Sequence, residues 1–379
     1  MDLICFSHIR WNFVYQRPQH LLNRYALNNR VFIVEEPVFE SDSDFFEINK
    51  SNETANLWII VLHISKNTLP EKINHTLKAL LDSCMYSNNI QKYILWYYSP
   101  MALPYSDHLN PAITIYDCMD ELSAFKAAPP RLKELEVCLM NRADVVFTGG
   151  HSLYEEKKHL HHNIHPFPSS IDKSHFVKAR VFKEDPEDQT AIPHPRFGFY
   201  GVIDERFDIE LIDKLSALRP NWHFVLVGPV IKIDPASLPV KENIHYLGRK
   251  EYKDLPDYLS GWDVAMLPFA LNESTKYISP TKTPEYLAGG KPVISTSIKD
   301  VVIPYGKLGL VKIADTAEEF ITAAEQILAN KNNEELGRKV DDFLANISWN
   351  KTWSRMTALI DEALENKLKT KNKKSKVYV

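Results

Sequence analysis

Ser279 to Thr296, SPTKTPEYLAGGKPVIST, is the stretch on which the reading of this chain turns. Pro280 and Pro284 are tolerated only near a helix start, where the first backbone N–H groups lack intrahelical partners. Ser279, Thr281 and Thr283 are candidate N-caps around them. The helix, read over Glu285–Ala288, stops at Gly289–Gly290, and KPVIST then enters a strand over Pro292–Ser295. A helix start aimed at a pocket attracts anions through its open N–H groups and dipole, and Lys282 adds a mobile cation. The same residues also fit a capped surface helix, and the run alone does not choose between the two.

Outward from this stretch, short apolar runs alternate with helical patterns. In the second half the strand-like runs are Phe197–Tyr200, His223–Val227, Ile244–Leu247, Val264–Pro268, Pro292–Ser295 and Gly309–Ile313. Helical patterns there cover Asp208–Leu218, Tyr252–Leu259 and Ala317–Leu328. In the first half the strands are Leu3–Phe6, Val31–Val34, Leu57–Ile64, Tyr93–Tyr98, Ile113–Tyr116 and Val145–Thr148. They are separated by helical patterns at Gln16–Leu27, Glu71–Met85, Arg131–Asn141 and Leu153–Leu160. Runs buried on both faces and spaced by helices predict parallel sheets built from βαβ units. Val181 to Pro195, acidic and proline-rich, reads as a linker. The expected organisation is therefore an α/β domain over 1–180, the linker 181–195, and a second α/β domain over 196–347. A helix over 348–367 follows, with Trp353, Met356, Ile360 and Leu364 on one stripe, and then a basic tail over 368–379. Open parallel sheets bind ligands outside the carboxyl ends of their strands.

Composition narrows the function classes. The chain has 379 residues, 44% hydrophobic and 25% charged, with a formal net charge of −4. The 12 glycines are few for this length, and none precedes Gly149. The first half therefore cannot hold a G-x-G-x-x-G turn or a G-x-x-x-x-G-K-S/T phosphate loop, and neither pattern occurs later. The mild acidity excludes the electrostatic footprint of a nucleic-acid binder. Cys5, Cys84, Cys118 and Cys138 lack C-x-x-C spacing and read as free thiols of a reducing compartment. MDLICFSHIRW reads as a first strand rather than a signal peptide, and no run approaches the ~18–20 apolar residues of a membrane span. A cytoplasmic protein is expected. The tract KKHLHHNIH, Lys157–His165, lies at a helix end and a turn, where basic residues answer the helix dipole. It is read as that rather than as a metal site.

Other strand ends of the second half add to the first signal. RFGFYG, Arg196–Gly201, runs into VIDERFDIELI and leaves Gly201 and Arg206 between a strand and a helix. WHFVLVGP ends in Gly228–Pro229. Glycine at such ends lets the backbone turn tightly or approach a ligand closely, and these edges together favour a nucleotide pocket.

The order of these motifs, with N-I-H-Y-L-G and WDVAMLPF between them, resembles the C-terminal domain of GT-B glycosyltransferases. Among them it is most similar to the retaining family-4-like enzymes that use nucleotide-sugar donors. SHIRWNFVYQRPQHLL and YDCMDELSAF resemble a bacterial subgroup linked to cell-envelope polysaccharide synthesis. The resemblance implies an α/β GT-B fold: two Rossmann-like domains facing across a cleft, with the final helix crossing back to the N-terminal domain. It implies that Glu285 binds the donor ribose, while Thr281–Lys282 and Arg206 hold the diphosphate. Gly201, Gly228, Lys276 and Ser279 complete the expected donor side. It implies no metal, helix dipole and basic side chains serving the leaving diphosphate instead. One departure stands out. Many members carry a second, sugar-contacting glutamate, and Tyr277 occupies its place here, with Glu273 a candidate substitute.

In the first half, Ser7–His8 ends the first strand and a long loop carries Arg10, Trp11 and Arg17 where related enzymes often have a glycine-rich turn. Arginine and aromatic side chains suit phosphate and sugar recognition, or the loop is simply packed. Asp117 and Asp120 lie at a strand's carboxyl edge, where carboxylates orient an acceptor hydroxyl or steady positive charge on the sugar, or cap the next helix. With His8 they are the catalytic candidates, and Tyr98 of YYSP is an acceptor candidate. The acidic stretch Glu35–Glu53 reads as a solvated loop. The expected reaction is sugar transfer from a nucleotide-sugar to a glycan or lipid-linked acceptor, with the basic tail as a candidate contact to an anionic membrane. The alternatives are a nucleotide-sugar epimerase on the same fold and an inactive nucleotide-sugar-binding protein.

Overall fold

The computed structural model describes residues 1–181, 184–330 and 334–377, with side chains through residue 370. The chain divides into two compact units. One comprises Met1–Phe167 together with the chain from Thr352 onward, and the other Pro168–Lys351.

Among the described residues, the first unit holds a nine-stranded sheet. Its strands are β1 (Asp2–Phe6), β2 (Val31–Val34), β3 (Val38–Ser41), β4 (Phe45–Lys50), β5 (Leu57–Ser65), β6 (Tyr93–Tyr97), β7 (Ile113–Cys118), β8 (Val145–Thr148) and β9 (Ile164–Pro166). The order is β3-β5-β2-β1-β6-β7-β8-β9, with β4 antiparallel on β5 and every other pairing parallel. β1, β2, β6, β7 and β8 are almost wholly buried along their lengths, as continuous apolar strands covered on both faces must be. Each fully buried Leu, Ile or Phe contributes on the order of 1.5–3 kcal/mol. The final helix, Trp349–Val377, buries Met356, Ile360 and Ala363 and places Trp353 on Trp96 at 6.4 Å between ring centroids. Lys367 pairs with Asp144 at 2.7 Å. The helix runs on through the described part of the segment expected as a separate basic tail; residues 378–379 lie outside the described residues.

One expectation for this unit is corrected. The acidic stretch Glu35–Glu53 is not a loop: it carries β3 and β4. β4 alternates exposed Phe45, Glu47 and Asn49 with half-buried Phe46 and Ile48, the period-two pattern of a strand with one covered face. Charged residues at an edge strand resist pairing with other chains, which is why its composition resembles a loop. The tract Lys157–His165 begins at a helix end and a turn, as read, and its last two residues enter β9 on β8.

The second unit holds β10 (Arg196–Tyr200), β11 (His223–Val227), β12 (Ile244–Gly248), β13 (Val264–Leu267), β14 (Val293–Ser295) and β15 (Lys312–Ile313). All pair in parallel, in the order β12-β11-β10-β13-β14-β15. Counted within the unit this is 3-2-1-4-5-6, the doubly wound order in which the strand order reverses between the first and fourth strands. The ligand-binding crevice of such a sheet lies at the carboxyl ends of β10 and β13. The described part of 181–195 belongs to this unit and is tied into it. Asp185 pairs with the buried Arg196 at 2.8 Å, and Gln189 accepts from the Trp262 indole N–H at 2.9 Å. Residues 182–183 of that stretch lie outside the described residues.

Candidate active site

The site is built on the carboxyl ends of β10, β11 and β12. Gly201 and Gly228 follow β10 and β11 at φ +141° and +145°, a region L side chains rarely adopt. The Gly201 N–H donates to Val227 O at 2.8 Å, and the Gly228 N–H to Gly248 O at 2.8 Å. A Cβ at Gly228 would stand 1.9 Å from the Gly201 carbonyl oxygen, and one at Gly201 would stand 2.2 Å from Lys282 Cε. Side chains are thus excluded, and Lys282 lies directly against the backbone that ends β10.

Lys282 begins the helix Lys282–Ala288. Its amine is 5.5 Å from the ring centre of Phe199 and 5.9 Å from that of Phe269, aromatic faces that attract a cation. Lys282, Glu285 and Tyr286, spaced i, i+3 and i+4, share one helix face, and that face meets the end of β10. The Tyr200 hydroxyl donates to Glu285 Oε2 at 2.7 Å, and the Tyr200 N–H donates to the Tyr286 hydroxyl at 2.9 Å. Glu285 is 5% exposed. Burial pushes its carboxyl up to about 7, against the hydrogen bond from Tyr200 and the charge of Lys282. It is therefore poised to exchange its proton near neutrality.

Arg206 lies on the loop after Gly201. That loop pairs with the segment after β13: Asp208 N–H donates to Pro268 O and Ala270 N–H to Arg206 O, each at 2.8 Å. The crossover order of the sheet thus joins the two loops that flank its crevice. Asp204, buried at 2% exposure, grips the guanidinium on two edges, with Nε–Oδ1 at 3.0 Å and Nη2–Oδ2 at 2.7 Å. It also accepts from the Arg206 N–H at 3.0 Å. Such a fork fixes a planar cation in direction as well as in place.

Other expected residues play different parts. Thr281 occupies the N-cap position with helical dihedrals and makes no side-chain cap bond. Ser279 does not cap either: its carbonyl accepts from Ser169 Oγ at 2.5 Å, and its hydroxyl accepts from the Ser169 N–H at 3.4 Å. The helix is held by its buried face rather than by caps. Lys276 is exposed, 3.9 Å from Glu273 and 5.2 Å from the Tyr277 ring centre. Glu273, the candidate substitute for the missing carboxylate, is exposed as well.

In the first unit the strand order reverses between β1 and β6, which places His8 and Tyr98 at the corresponding crevice. Charges nearby are turned inward. Arg17 holds both oxygens of Asp117 at 2.8–3.1 Å and donates to Phe167 O at 2.7 Å. Asp117 is fully buried, and burial pushes its carboxyl up against the pull of Arg17. The expected catalytic role of Asp117 and phosphate role of Arg17 do not match this placement, because each neutralises the other inside the unit. Tyr98 is buried beside them at 1% exposure. Arg10 pairs with Glu35 at 2.8 Å while remaining 44% exposed, and the Trp11 N–H donates to Glu35 Oε1 at 2.6 Å. Trp11 is buried and anchors the loop. Asp120 follows β7 half-buried, and the turn after it, Leu122–Ala124, has no side-chain cap. Beneath it, buried Lys157 bridges Glu121 and Glu136 at 2.7 and 2.8 Å.

Tyr200, Asp204 and Glu35 are the residues that sequence reasoning missed. Asp204 was visible as D-x-R, two positions before Arg206. Tyr200 was indistinguishable from a core strand residue, and Glu35 was absorbed into an acidic run. No helix among the described residues is long and apolar enough to cross a membrane.

Residues 194–330 match the family described as Glycosyl transferases group 1. Over 304 residues the chain is 25% identical to the putative teichuronic acid biosynthesis glycosyltransferase TuaH of Bacillus subtilis, covering 73% of this chain and 74% of that protein. Among solved structures it is similar to sucrose-phosphate synthase of Thermosynechococcus elongatus, with a TM-score of 0.68 at 15% identity over 96% of this chain and 99% of the other. It is also similar to Anabaena HepE in complex with UDP and glucose, with a TM-score of 0.66 at 12% identity over 95% and 99%. The matched stretch contains Gly201, Asp204, Arg206, Gly228, Lys282 and Glu285. With both sheets in the doubly wound order and residues 194–330 matching the Glycosyl transferases group 1 family, the chain has the α/β GT-B fold and carries a group 1 glycosyltransferase domain in its second unit.

Proposed function

We propose that the chain transfers a sugar from a nucleotide-sugar donor to a glycan or lipid-linked acceptor, with retention of anomeric configuration, in bacterial envelope polysaccharide synthesis. The observation that carries this reading is the cluster at the end of β10. Two glycines leave the backbone bare, while Lys282 and the Asp204-held Arg206 supply cations and Glu285 a buried carboxylate. HepE, a structural neighbour, was solved with UDP and glucose, and TuaH is named for teichuronic acid biosynthesis; both support a sugar-nucleotide and a polysaccharide.

In this reading the ionised Glu285 accepts hydrogen bonds from the ribose hydroxyls, and Arg206 and Lys282 face the diphosphate. The bond between the anomeric carbon and the β-phosphate oxygen breaks, and its electron pair stays on the diphosphate. The two cations stabilise that charge as it develops, which is where preorganised electrostatics act most strongly. The acceptor hydroxyl bonds to the anomeric carbon and passes its proton to the departing β-phosphate oxygen. The protein's own cations do this work, and we place the reaction in the cytoplasm, with the basic C-terminal helix against an anionic membrane surface. The test is turnover of UDP- and GDP-sugars with membrane-derived acceptors, with and without EDTA. Release of diphosphate that survives EDTA and is lost in Arg206→Ala is expected. No release from any donor contradicts it.

Tyr277 favours a second reading, binding without transfer, because the sugar-contacting carboxylate of related enzymes is replaced there. That reading predicts saturable nucleoside diphosphate binding with neither transfer nor donor hydrolysis.

A further inference from the structure

Glu285 is a nearly buried carboxylate, and a buried carboxylate needs a partner to hold its charge and direction. The hydroxyl of Tyr200 at 2.7 Å is such a partner. Tyr200 is itself clamped at both ends. Its N–H donates to the Tyr286 hydroxyl, and its ring lies 4.7 Å from Tyr286, 5.9 Å from Trp262 and 6.2 Å from Phe176 between centroids. With the last residue of β10 fixed in this way, the hydroxyl has one direction available. It engages Oε2 of Glu285 and leaves the carboxylate in a set orientation at the strand's end.

We propose that Tyr200 is a positioning residue that holds the Glu285 carboxylate in the orientation and charge state needed to accept the two ribose hydroxyls of a nucleoside diphosphate. The inference rests on the reading of this edge as a donor site. At the end of β10 a phenol reaches under the helix that carries Glu285. The ionisable groups facing Glu285 are Tyr200 from β10, and Lys282 and Tyr286 from its own helix. Tyr252 and, stacked on it at 4.5 Å, His175 belong to the shell around Tyr200. Lys282 and the Tyr200 hydroxyl both favour the ionised carboxylate, and burial opposes them. Removing the hydroxyl therefore moves Glu285 toward its protonated form.

The test is calorimetric titration of UDP, GDP, ADP and TDP into the full chain from about pH 5.5 to about pH 9, a range that brackets Glu285 at neutrality. Wild type, Tyr200→Phe, Glu285→Gln and the double variant are compared, since ionisation of the nucleotide itself is common to all four. Wild-type affinity is expected to fall as the pH drops through about 7. In Tyr200→Phe that midpoint moves up by about one pH unit. Affinity at neutrality weakens about three- to tenfold, within the effect of one hydrogen bond to a charged group, and recovers toward wild type at the alkaline end. In the Glu285→Gln background the second substitution changes nothing, since coupled effects vanish when one partner is gone. A Tyr200→Phe loss that is equal at every pH, or an unmoved midpoint, overturns the role assigned to Tyr200 while leaving the donor site standing. Absence of saturable binding to the wild type overturns the donor reading itself.

Discussion

The carboxyl edges of the two sheets begin from the same topology and diverge in how they treat charge. In the first unit the deepest edge charges are paired inside the protein: Arg17 with Asp117, and Lys157 with Glu121 and Glu136. Glycine is absent until Gly149. In the second unit the backbone is bared by Gly201 and Gly228, Lys282 lies against it, and Arg206 is aimed by Asp204 while a quarter of its side chain stays accessible. A buried ion pair is costly to break and adds little beyond its own neutralisation. A cation that stays partly accessible beside a bared backbone can still meet an anion. The difference teaches that arginine near a strand end is not by itself a ligand signal; what its partner is, and how deep that partner lies, decides.

The comparison can be broken most severely at Asp117. Asp117→Ala leaves Arg17 buried without its counter-charge and is expected to lower stability by about 3–5 kcal/mol, measured by urea denaturation. A loss within ~0.5 kcal/mol, typical of a surface change, would mean the pair is not the bolt described. At the other edge Arg206→Ala is expected to lower the melting temperature, because buried Asp204 loses its counter-charge, and to reduce turnover of the folded protein by about 10²–10³, the scale of one lost transition-state donor. Equal turnover would remove Arg206 from the site.

A smaller effect sharpens the role of the bare backbone. Gly228→Ala places a methyl group 1.9 Å from the Gly201 carbonyl oxygen at a positive φ. Its expected cost is about 1–3 kcal/mol, with weakened nucleoside diphosphate binding by calorimetry. A variant of full stability and affinity would show that this edge tolerates side chains. A pH-dependent effect concerns Glu285. Its native carboxyl lies at about 7 against an ordinary 4.5, so ionisation is disfavoured by folding. The cost is absent below the unfolded value, grows as the pH rises between the two, and is full above the native one. Glu285→Gln is therefore expected to raise the melting temperature more at about pH 8 than at about pH 5. An equal change at both pH values would contradict the buried assignment.

Much of the architecture was legible because parallel strands buried on both faces leave continuous apolar runs. Val31–Val34, Val145–Thr148 and His223–Val227 end where the sequence places them. β4 escaped because its exposed face is charged, and the helix Glu334–Leu344 escaped because its Val340 and Leu344 are embedded in a run of charges around Gly337. Glycine and proline punctuation placed Gly201, Arg206 and Lys282 at strand and helix ends, and the family resemblance singled out Glu285. The partners that orient them were not legible. Tyr200 and Asp204 act through contacts 85 residues away in one case and two in the other, and neither residue type announces which contact it makes. The inward turn of Arg17 and Asp117, 100 residues apart, was illegible for the same reason.

The central claim is that the carboxyl end of β10 in the second unit binds the diphosphate of a nucleotide-sugar. Calorimetric titration of UDP, GDP, ADP and TDP into the wild-type chain and into Arg206→Ala tests it most directly. Saturable binding of at least one nucleotide to the wild type, weakened about tenfold or more in Arg206→Ala as for one lost charge-assisted contact, is the predicted result. Binding that is absent from the wild type, or unchanged by the substitution, would contradict the account.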